Sequence, residues 1–446
     1  MTTTNTNTNT NTNENENKNK NTGGSVLRSM RGVSVAVLAG AMVALSATSA
    51  APAPGPRTER ITLSASGEQI QRGAGGPALS SDGRYAAFVS DDAGVVAGDT
   101  NGVTDVFVRD LRRGTVERVN VASDGTQADG GGSHRAEISG DGRYVAFVSR
   151  AKNLVDWSEP PHPYADDMYV HDRRTGRTER VSIAADGGSG SVFDSFDMSR
   201  DGRYVAFTAS SGRMEGDPAD QTLAYVVDRR TGTAERISDH VPSDWYVASV
   251  TLSADGSHLA YVQRHPRGGR HELWLADLRT GERKLVNATP EGHPTHGSPA
   301  GATLSEDGSL VAYSSFDEDV VPEAPTYTWE LYLYDGRTGK TRWMTHEGRG
   351  GLGAGILSPD GRRLAYLTET PSGEETVVEN VHVRDLRTGR TELVTRTVTG
   401  GPQSEGYAAP TAFARDGRLL AFSSSSSALV PGDTNAAGDG FLRRLR

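Results

Sequence analysis

The chain has 446 residues, of which 35% are hydrophobic, 23% are charged and 53 are glycine, so it is rich in turns but ordinary in charge for a folded protein. It contains no cysteine, which excludes disulfides, thiolate catalysis, iron–sulfur clusters and zinc–thiolate sites. The net charge of -10 offers no basic surface to phosphate backbones, so nucleic acid is not expected as a partner.

The N-terminal region has two parts. Residues 1–24 are almost entirely Thr, Asn, Glu and Lys, and this tract is predicted to be disordered because it has almost no apolar surface to bury. Residues 25–51 have the pattern of a signal peptide: Arg28 and Arg31 precede an apolar run of 13 residues, and small residues follow. The run is too short to span a bilayer. The protein is therefore expected to be secreted, extracellular or in the cell envelope, with Met1 or Met30 as its start.

A unit of 52 to 60 residues then recurs seven times. Its most regular feature is an Asp-Gly pair, followed five residues after the Asp by alanine and then at once by Phe or Tyr. Small and large side chains must alternate where sheets pack face to face, so the alanine and the aromatic residue are predicted to lie in the core. The aspartates of the seven pairs are Asp82, Asp141, Asp201, Asp255, Asp307, Asp360 and Asp416.

A second turn, Asp-x-Arg-x-Gly, occurs six times and divides each unit again. Four strands per unit follow, which predicts an all-β fold: a seven-bladed β-propeller of four-stranded antiparallel blades over residues 57–446. The last unit stops inside its second turn, whereas Arg57–Ile61 has the pattern of a fourth strand and precedes the first unit. We expect these two segments to pair in the last blade and close the ring, giving a monomer.

The repeat resembles that of a known class of propellers. The string Ser199-Arg-Asp-Gly-Arg-Tyr-Val-Ala-Phe207 is similar to the repeat of TolB-like propellers, a WD-like repeat also seen in the propellers of prolyl oligopeptidase-type enzymes. The resemblance covers residues 57–446. It implies an exported scaffold without a cofactor, which binds proteins or peptides through its loops and central funnel. This chain differs in having seven copies where TolB is six-bladed, and no N-terminal domain is expected before the propeller.

The motifs of several enzyme classes are absent from the sequence. It contains neither Gly-x-Ser-x-Gly nor His-Glu-x-x-His. No α/β-hydrolase domain is expected after the propeller, so the peptidase activity of oligopeptidase-like enzymes is not carried over.

The predicted inner strands carry two candidate residues. The residue four positions before the Asp-Gly pair is a carboxylate only in units two and three, where it is Glu137 and Asp197. Two acids on neighbouring inner strands would face the channel, either as solvated lining or as an acid/base pair or cation site.

The segments between blades carry charged and aromatic side chains that suit peptide or glycan contacts. His293 and His296 lack an identifiable third ligand for zinc. The candidates for ligand binding in these segments are His134, Arg135, Asp194, Asp244, Trp245, Tyr246, His293, His296, Arg349, Glu405 and Tyr407.

Two loops between second and third strands have Asp, Asn and Asp at positions 1, 3 and 7. Oxygen ligands of this kind suit calcium, although the first loop lacks the Gly and Glu of an EF-hand. The alternative is an Asx turn without a metal. The candidate ligands are Asp99, Asn101, Asp105, Asp433, Asn435 and Asp439.

Two functions remain open from the sequence. The first is an exported, non-catalytic propeller that binds a protein, peptide or cell-wall-associated ligand on its loop and funnel face. The alternative is a propeller enzyme acting on glycans, as a lyase or hydrolase, with Glu137, Asp197, His134 or Arg135 in the channel. Fold alone does not separate them, because one fold hosts many functions.

Overall fold

The computed structural model describes residues 57–157, 164–182, 191–210, 217, 221–316, 319–325, 328–344, 352–371 and 377–446. The tract 1–24 and the signal peptide 25–51 lie outside the described residues. The described residues belong to one compact unit, and none of their helices is long and apolar enough to cross a bilayer.

The described structure consists of short strands joined by turns. The first half contains β1 (Thr58–Arg60), β2 (Gly75–Leu79), β3 (Tyr85–Ser90), β4 (Asp105–Asp110), β5 (Val116–Arg118), β6 (Ser133–Ile138), β7 (Tyr144–Ser149), β8 (Asp167–Asp172), β9 (Arg177–Arg180), β10 (Val192–Met198), β11 (Tyr204–Ser210), β12 (Thr222–Asp228), β13 (Thr233–Arg236) and β14 (Tyr246–Leu252). The second half contains β15 (His258–Arg264), β16 (His271–Asp277), β17 (Arg283–Leu285), β18 (Ala300–Leu304), β19 (Leu310–Ser315), β20 (Glu330–Asp335), β21 (Lys340–Trp343), β22 (Leu352–Leu357), β23 (Arg363–Pro371), β24 (Val377–Asp385), β25 (Thr391–Leu393), β26 (Ala408–Phe413), β27 (Leu419–Ser424) and β28 (Asp439–Arg444).

These strands form seven four-stranded antiparallel sheets, which confirms the predicted all-β, seven-bladed propeller. Blades one to six each contain four consecutive strands, starting from β2, and blade seven has the order β1-β28-β27-β26. In blade seven, β1 pairs with β28 so that Arg60 lies opposite Phe441. The first strands of the seven blades contact one another in cyclic order, so they form the inner wall of a ring.

The Asp-Gly turn explains why the same short motif recurs in every blade. In blade one, Ser80 Oγ donates to Asp82 Oδ1 and accepts from Tyr85 N, both at 2.9 Å. The glycine of the pair has a φ between 64° and 72° in all seven blades, a conformation that side chains disfavour. The motif therefore fixes a tight link between the first and second strands.

The alanine and the aromatic residue after each turn lie in the core, as their pattern predicts. All seven alanines are at most 1% exposed and all seven aromatic residues at most 6%. In most blades the aromatic residue also contacts a ring on the third strand; Phe88 and Phe107, for example, have centroids 5.6 Å apart. Packing between strands and between blades thus accounts for the invariant residues and leaves the site to be sought among the variable ones.

Candidate functional site

The first strands enclose a channel, part of which is a cavity of about 410 Å³. Its lining comes from the first strands of blades two to seven and from the turns that follow two of them. Every first strand has a shift of register against the second strand. Such bulges redirect side chains, so the residues at these positions are aimed differently from those in a regular strand.

One end of the channel is narrowed by a ring of residues that directly precede the Asp-Gly pairs. Backbone hydrogen bonds of 2.7–3.0 Å join six of the seven neighbouring pairs of blades at this level, and in blade four the donor is the next residue, Asp255. Between blades six and seven the link is missing because Pro359 has no N–H. Hydrogen-bonded backbones lie about 4.8 Å apart, so a ring of seven is only about 11 Å across. We call this ring the belt; its residues are Ser81, Gly140, Arg200, Ala254, Glu306, Pro359 and Arg415.

Three belt residues carry charges and meet across the channel. Glu306 of blade five pairs with Arg200 of blade three, and it accepts two hydrogen bonds of 3.2 Å from Arg415 of blade seven. A Cβ atom on Gly140 would collide with the side chain of Arg200, so glycine there leaves room for the arginine. Because the three blades are not neighbours, this charged bridge spans the narrow end of the channel.

The wall of the cavity carries one group of charges, Arg135, Glu137 and Asp197, which we call the channel cluster. Arg135 lies at the bulge of β6 with a φ of 50°, in the left-handed region that side chains rarely adopt. Gly301 occupies the same position of the repeat in blade five, with a φ of 61°. A side chain in place of glycine costs on the order of 1 kcal/mol there, and such strain is often found at functional sites.

The members of the channel cluster interact with one another. The Nη2 atom of Arg135 lies 3.8 Å from Glu137 Oε1, and its guanidinium carbon lies 5.0 Å from the ring centre of Phe196, which is fully buried. Asp197 accepts hydrogen bonds from the backbone N–H groups of Leu252 at 2.9 Å and Met198 at 2.7 Å. Arg135 and Glu137 thus come from blade two and Asp197 from blade three. The ring of Phe196 in blade three and a backbone N–H of blade four help to position them.

Both carboxyl groups of the cluster have raised pKa values. Burial raises the pKa of Glu137 to about 7; repulsion by Asp197 adds to this effect and Arg135 opposes it. Burial also raises the pKa of Asp197 to about 6, against the two backbone hydrogen bonds. The side chain of Glu137 keeps 32% of its exposure, so a small molecule in the channel can reach it. Near neutral pH this pair can hold or release a proton.

The rest of the cavity wall is neutral. Two threonine hydroxyls are engaged in bonds between blades: Thr251 Oγ1 donates to the carbonyl of Ala302 at 2.8 Å, and Thr303 Oγ1 accepts from Leu357 N at 3.0 Å. The cavity therefore offers ion pairing on one side and apolar contact on the other. The apolar contacts come mainly from Ala302, Leu304, Gly355, Ile356, Leu357, Ala412 and Phe413.

Most other candidates from the loops lie away from the channel cluster, and none of those whose side chains the structure describes lines the cavity. His134 precedes Arg135, but its Nε2 atom lies 3.9 Å from Asp166 Oδ1. Trp245 contacts His265 edge to face at 5.7 Å and packs against the core of blade four. Asp244 Oδ2 lies 3.3 Å from the same histidine.

The remaining loop candidates are dispersed. Tyr246 begins β14 and is half-buried, whereas His293 and His296 are exposed in the connection between β17 and β18. Tyr407 is 51% exposed, and Glu405 accepts a hydrogen bond from Ser427 at 3.1 Å. Arg349 and the side chain of Asp194 lie outside the described residues.

In each candidate calcium loop, an arginine from a neighbouring strand lies between the two carboxylates. Arg118 Nη1 lies 3.1 Å from Asp99 and 3.0 Å from Asp105, and Asn101 donates to Asp105 at 3.0 Å. In the part of the chain that the structure describes, no group of three or more His, Asp or Glu is arranged to hold a metal. Calcium binding stays a prediction, and it requires the metal and the arginine to share the same carboxylates.

The second loop has the same arrangement. Arg60 lies 2.8 Å from Asp433 and 3.1 Å from Asp439, and Gln69 donates to both carboxylates. Asn435 donates to the carbonyl of Ile70 at 2.8 Å. Both loops are thus tied to neighbouring strands by polar side chains of the chain itself.

The sequence analysis did not predict the charged bridge. A signal was present, since only Arg200, Glu306 and Arg415 are charged among the residues directly before the seven Asp-Gly pairs. Their meeting could be inferred only after the number of blades and the width of the belt were known.

Comparison with known proteins shows the fold of the chain. No family model matches it, and no curated protein matches it significantly. An oligogalacturonate lyase from Vibrio parahaemolyticus is 13% identical, with a TM-score of 0.54 over 88% of this chain and 97% of that chain. The β-propeller domain of the Trilobed protease from Pyrococcus furiosus is 12% identical, with a TM-score of 0.54 over 84% of this chain and 94% of that chain.

A TolB protein is also among the similar structures. TolB from Acinetobacter baumannii is 17% identical, with a TM-score of 0.40 over 81% of this chain and 80% of that chain. Similarity at these low identities shows the fold alone, so what the two matches described above establish for the chain is the β-propeller fold.

Proposed function

We propose that this chain is an exported, non-catalytic propeller that binds a protein, peptide or cell-wall-associated ligand in its channel. The observation that carries the proposal is the channel cluster: three charged groups on one side of an otherwise neutral cavity, one of them on strained backbone. Structural lining alone does not require such strain, since glycine occupies the same position in blade five. Because the charged bridge obstructs one end of the channel, it favours entry of a ligand from the other end.

The chemistry of the cavity defines what such a ligand would present. One side of the ligand pairs with the guanidinium of Arg135 and the carboxyl groups of Glu137 and Asp197, while the other side packs against apolar wall. Short peptides and cell-wall fragments with peptide stems combine charged and apolar groups in this way. Partial burial of the charges makes each ion pair stronger than it would be on an open surface.

Arg135→Gly tests this site without a large effect on folding. The variant removes the guanidinium but gives the left-handed backbone its preferred residue, so we expect the free energy of unfolding to change by less than about 1 kcal/mol. Peptides selected from a displayed library on the wild type, and soluble peptidoglycan fragments, should bind the variant at least tenfold more weakly. Affinities are measured by calorimetry.

The matched control for a variant of the channel carboxylate Glu137 is a variant of an exposed carboxylate outside the channel. Glu137→Gln should weaken binding of the same probes, whereas Glu235→Gln, on the exposed strand β13, should not. Equal affinity of the wild type, Arg135→Gly and Glu137→Gln for every selected probe would place the binding surface outside the channel.

A second candidate function is an enzyme that acts on glycans. The observation that favours it is the pair of carboxyl groups with pKa values of about 7 and about 6, a range in which one group can donate and the other accept a proton. A panel of polysaccharides that includes oligogalacturonates would be assayed for new reducing ends and for unsaturated products. Activity lost in Glu137→Gln but kept in Glu235→Gln would favour the enzyme, and a panel without turnover would count against it.

A further inference from the structure

At six of the seven junctions between neighbouring blades, a side chain of one blade packs on the preceding blade at the same position of the repeat. Between blades four and five no side chain occupies this position. In blades one to four and six, the residue after the Asp of the second turn packs on the preceding blade, and Leu445 is the equivalent residue in blade seven. In the preceding blade it lies next to the residue three positions after the Asp of the Asp-Gly pair. In six blades this residue is leucine or arginine, but in blade five it is glycine. In order from blade one, these residues are Leu111, Arg173, Arg229, Leu278, Gly336, Leu386 and Leu445.

The two arginines show what the position recognises. The guanidinium carbon of Arg173 lies 4.4 Å from the ring centre of Tyr85, and its Nε donates to Glu117 at 2.6 Å. It also donates to the carbonyl of Gly142 in its own blade, whereas Tyr85 and Glu117 belong to the preceding blade. Arg229 makes the same three contacts with Tyr144, Glu179 and Gly202. Each of these two junctions thus holds a guanidinium between an aromatic ring, a carboxylate and a carbonyl oxygen.

Between blades four and five the glycine leaves a cavity of about 410 Å³, against about 280 Å³ beside Arg173. His258 takes the place of the tyrosine ring, and Gly308 takes the place of the glycine whose carbonyl accepts from the arginine. The position of Glu117 is taken by Lys284, which donates to the carbonyl of Gly336 at 3.3 Å and lies 3.5 Å from Glu282.

A second arginine is also missing at this junction. In blades one to three the Asp that begins the second turn pairs with the arginine of Asp-Gly-Arg, as Asp110 does with Arg84 at 2.7 Å. In blade four that arginine is replaced by Ser257, and the carboxylate of Asp277 faces the cavity. The nearest nitrogen atoms of basic side chains to the Asp277 carboxylate are Arg279 Nε at 3.8 Å and His258 Nε2 at 3.9 Å, both beyond hydrogen-bond distance.

The charges around the cavity include more acids than bases. Asp255, Asp277, Glu282 and Asp307 line it together with Arg279, Lys284 and Arg337. We propose that this cavity binds the guanidinium group of an arginine residue from a polypeptide partner, which replaces the side chain absent at Gly336. The guanidinium would pair with Asp277, stack on His258 and donate to the carbonyl of Gly308. This site is separate from the channel, and the proposal does not depend on the channel binding a ligand.

Calorimetry with N-acetyl-arginine amide as the probe tests the site. We expect saturable binding at one site, with an affinity at least tenfold higher than that for the neutral isostere N-acetyl-citrulline amide. Asp277→Asn should weaken binding at least tenfold, because the amide still accepts from the turn N–H groups but cannot pair with a cation. Asp385→Asn is the matched control: Asp385 has the same role in its turn, and it lies at a junction that Leu445 fills.

Two further variants separate loss of the site from loss of folding. Gly336→Arg should fill the cavity and abolish binding. Because Lys284 stands where Arg173 has Glu117, the thermal unfolding midpoint is compared after Lys284→Glu is added to Gly336→Arg, and it should then not fall. Lys284→Glu restores the acidic partner and should strengthen binding several-fold, a gain that misfolding cannot produce. The proposal is overturned if the wild type does not prefer arginine over citrulline, or if Asp277→Asn and Gly336→Arg bind the probe as the wild type does.

Discussion

In blades three, four and five the side chain four positions before the Asp-Gly pair forms a hydrogen bond with the next blade, and in blades two and three the residue at this position is charged. Thr303 accepts a hydrogen bond from Leu357 N of the next blade, and Asp197 accepts the equivalent bond from Leu252 N. A hydroxyl is therefore sufficient for this link. The negative charges at Asp197 and Glu137 exceed what packing requires, and burial makes them costly, which is typical of functional residues.

Glu137→Gln should change how stability depends on pH. Because the pKa of Glu137 is about 7 in the folded protein and 4.5 in its ordinary state, the folded protein binds more protons between these values. Wild-type stability should therefore fall as pH rises through this window. Glutamine does not titrate, so from about pH 5 to about pH 8 the variant should gain roughly 1–2 kcal/mol over the wild type, allowing for solvent in the channel. Denaturant unfolding measures this gain, and parallel pH profiles would contradict it.

Single residues could be predicted from the sequence where they broke a pattern. Glu137 and Asp197 stood out as acids at a repeat position that is otherwise neutral, and the structure places both on the channel wall. The strain at Arg135 had no such signal, since it depends on a bulge that the sequence does not mark. Gly336 also broke a pattern, but its meaning appears only when the side chains at the other junctions are seen in contact.

Several blades hold the third strand to the fourth by one polar pair. Arg118 pairs with Asp105 in blade one, and in blade five Trp343 Nε1 donates to Glu330 at 2.8 Å. In blade seven the pair joins β28 to β1, because Arg60 comes from the first strand of the chain and Asp439 from the last. All of these side chains except Trp343 are at most about 10% exposed. Each pair therefore holds the fourth strand beside the third and also provides a partner for a buried carboxylate.

Arg60→Met should destabilise the protein by about 3 kcal/mol, because it leaves Asp433 and Asp439 buried without their cation. Arg72→Met is the control, since Arg72 and Asp91 are 69% and 48% exposed and such pairs contribute at most about 0.5 kcal/mol. Urea unfolding of the two variants measures the difference. Similar losses for both would show that the pair in blade seven contributes no more than a surface contact.

The two candidate calcium loops can be tested through the same arginines. Because Arg60 and Arg118 compete with any cation for the carboxylates, calcium should raise the thermal midpoint of Arg60→Met and Arg118→Met more than that of the wild type. A chelator provides the reference in each case. Unchanged midpoints in all three proteins would exclude calcium binding by these loops.

The sequence predicted the number of strands in each blade better than it predicted their lengths. Two turn motifs per unit gave four strands per blade, and the structure has them. In the structure, β23 and β24 are each nine residues long. These lengths were not predictable, because β23 ends at Pro371 and the sequence that follows is polar, features that are typical of a loop.

For the whole molecule, export remains to be tested. Expression of the full chain in a secreting bacterium should release a protein whose N-terminus, determined by mass spectrometry, lies between Ala51 and Ala53. Val37→Arg with Leu38→Arg interrupts the apolar run and should keep the protein inside the cell. Release of an uncleaved chain, or equal release of the double variant, would contradict the signal peptide.

The bridge of Arg200, Glu306 and Arg415 has a kinetic consequence. A molecule held in the cavity cannot thread past these side chains, so it leaves through the mouth by which it arrived. Its residence time then depends on the connections around that mouth, which differ from blade to blade. Such a propeller can retain its cargo for long periods, but it cannot act as a conduit from one face to the other.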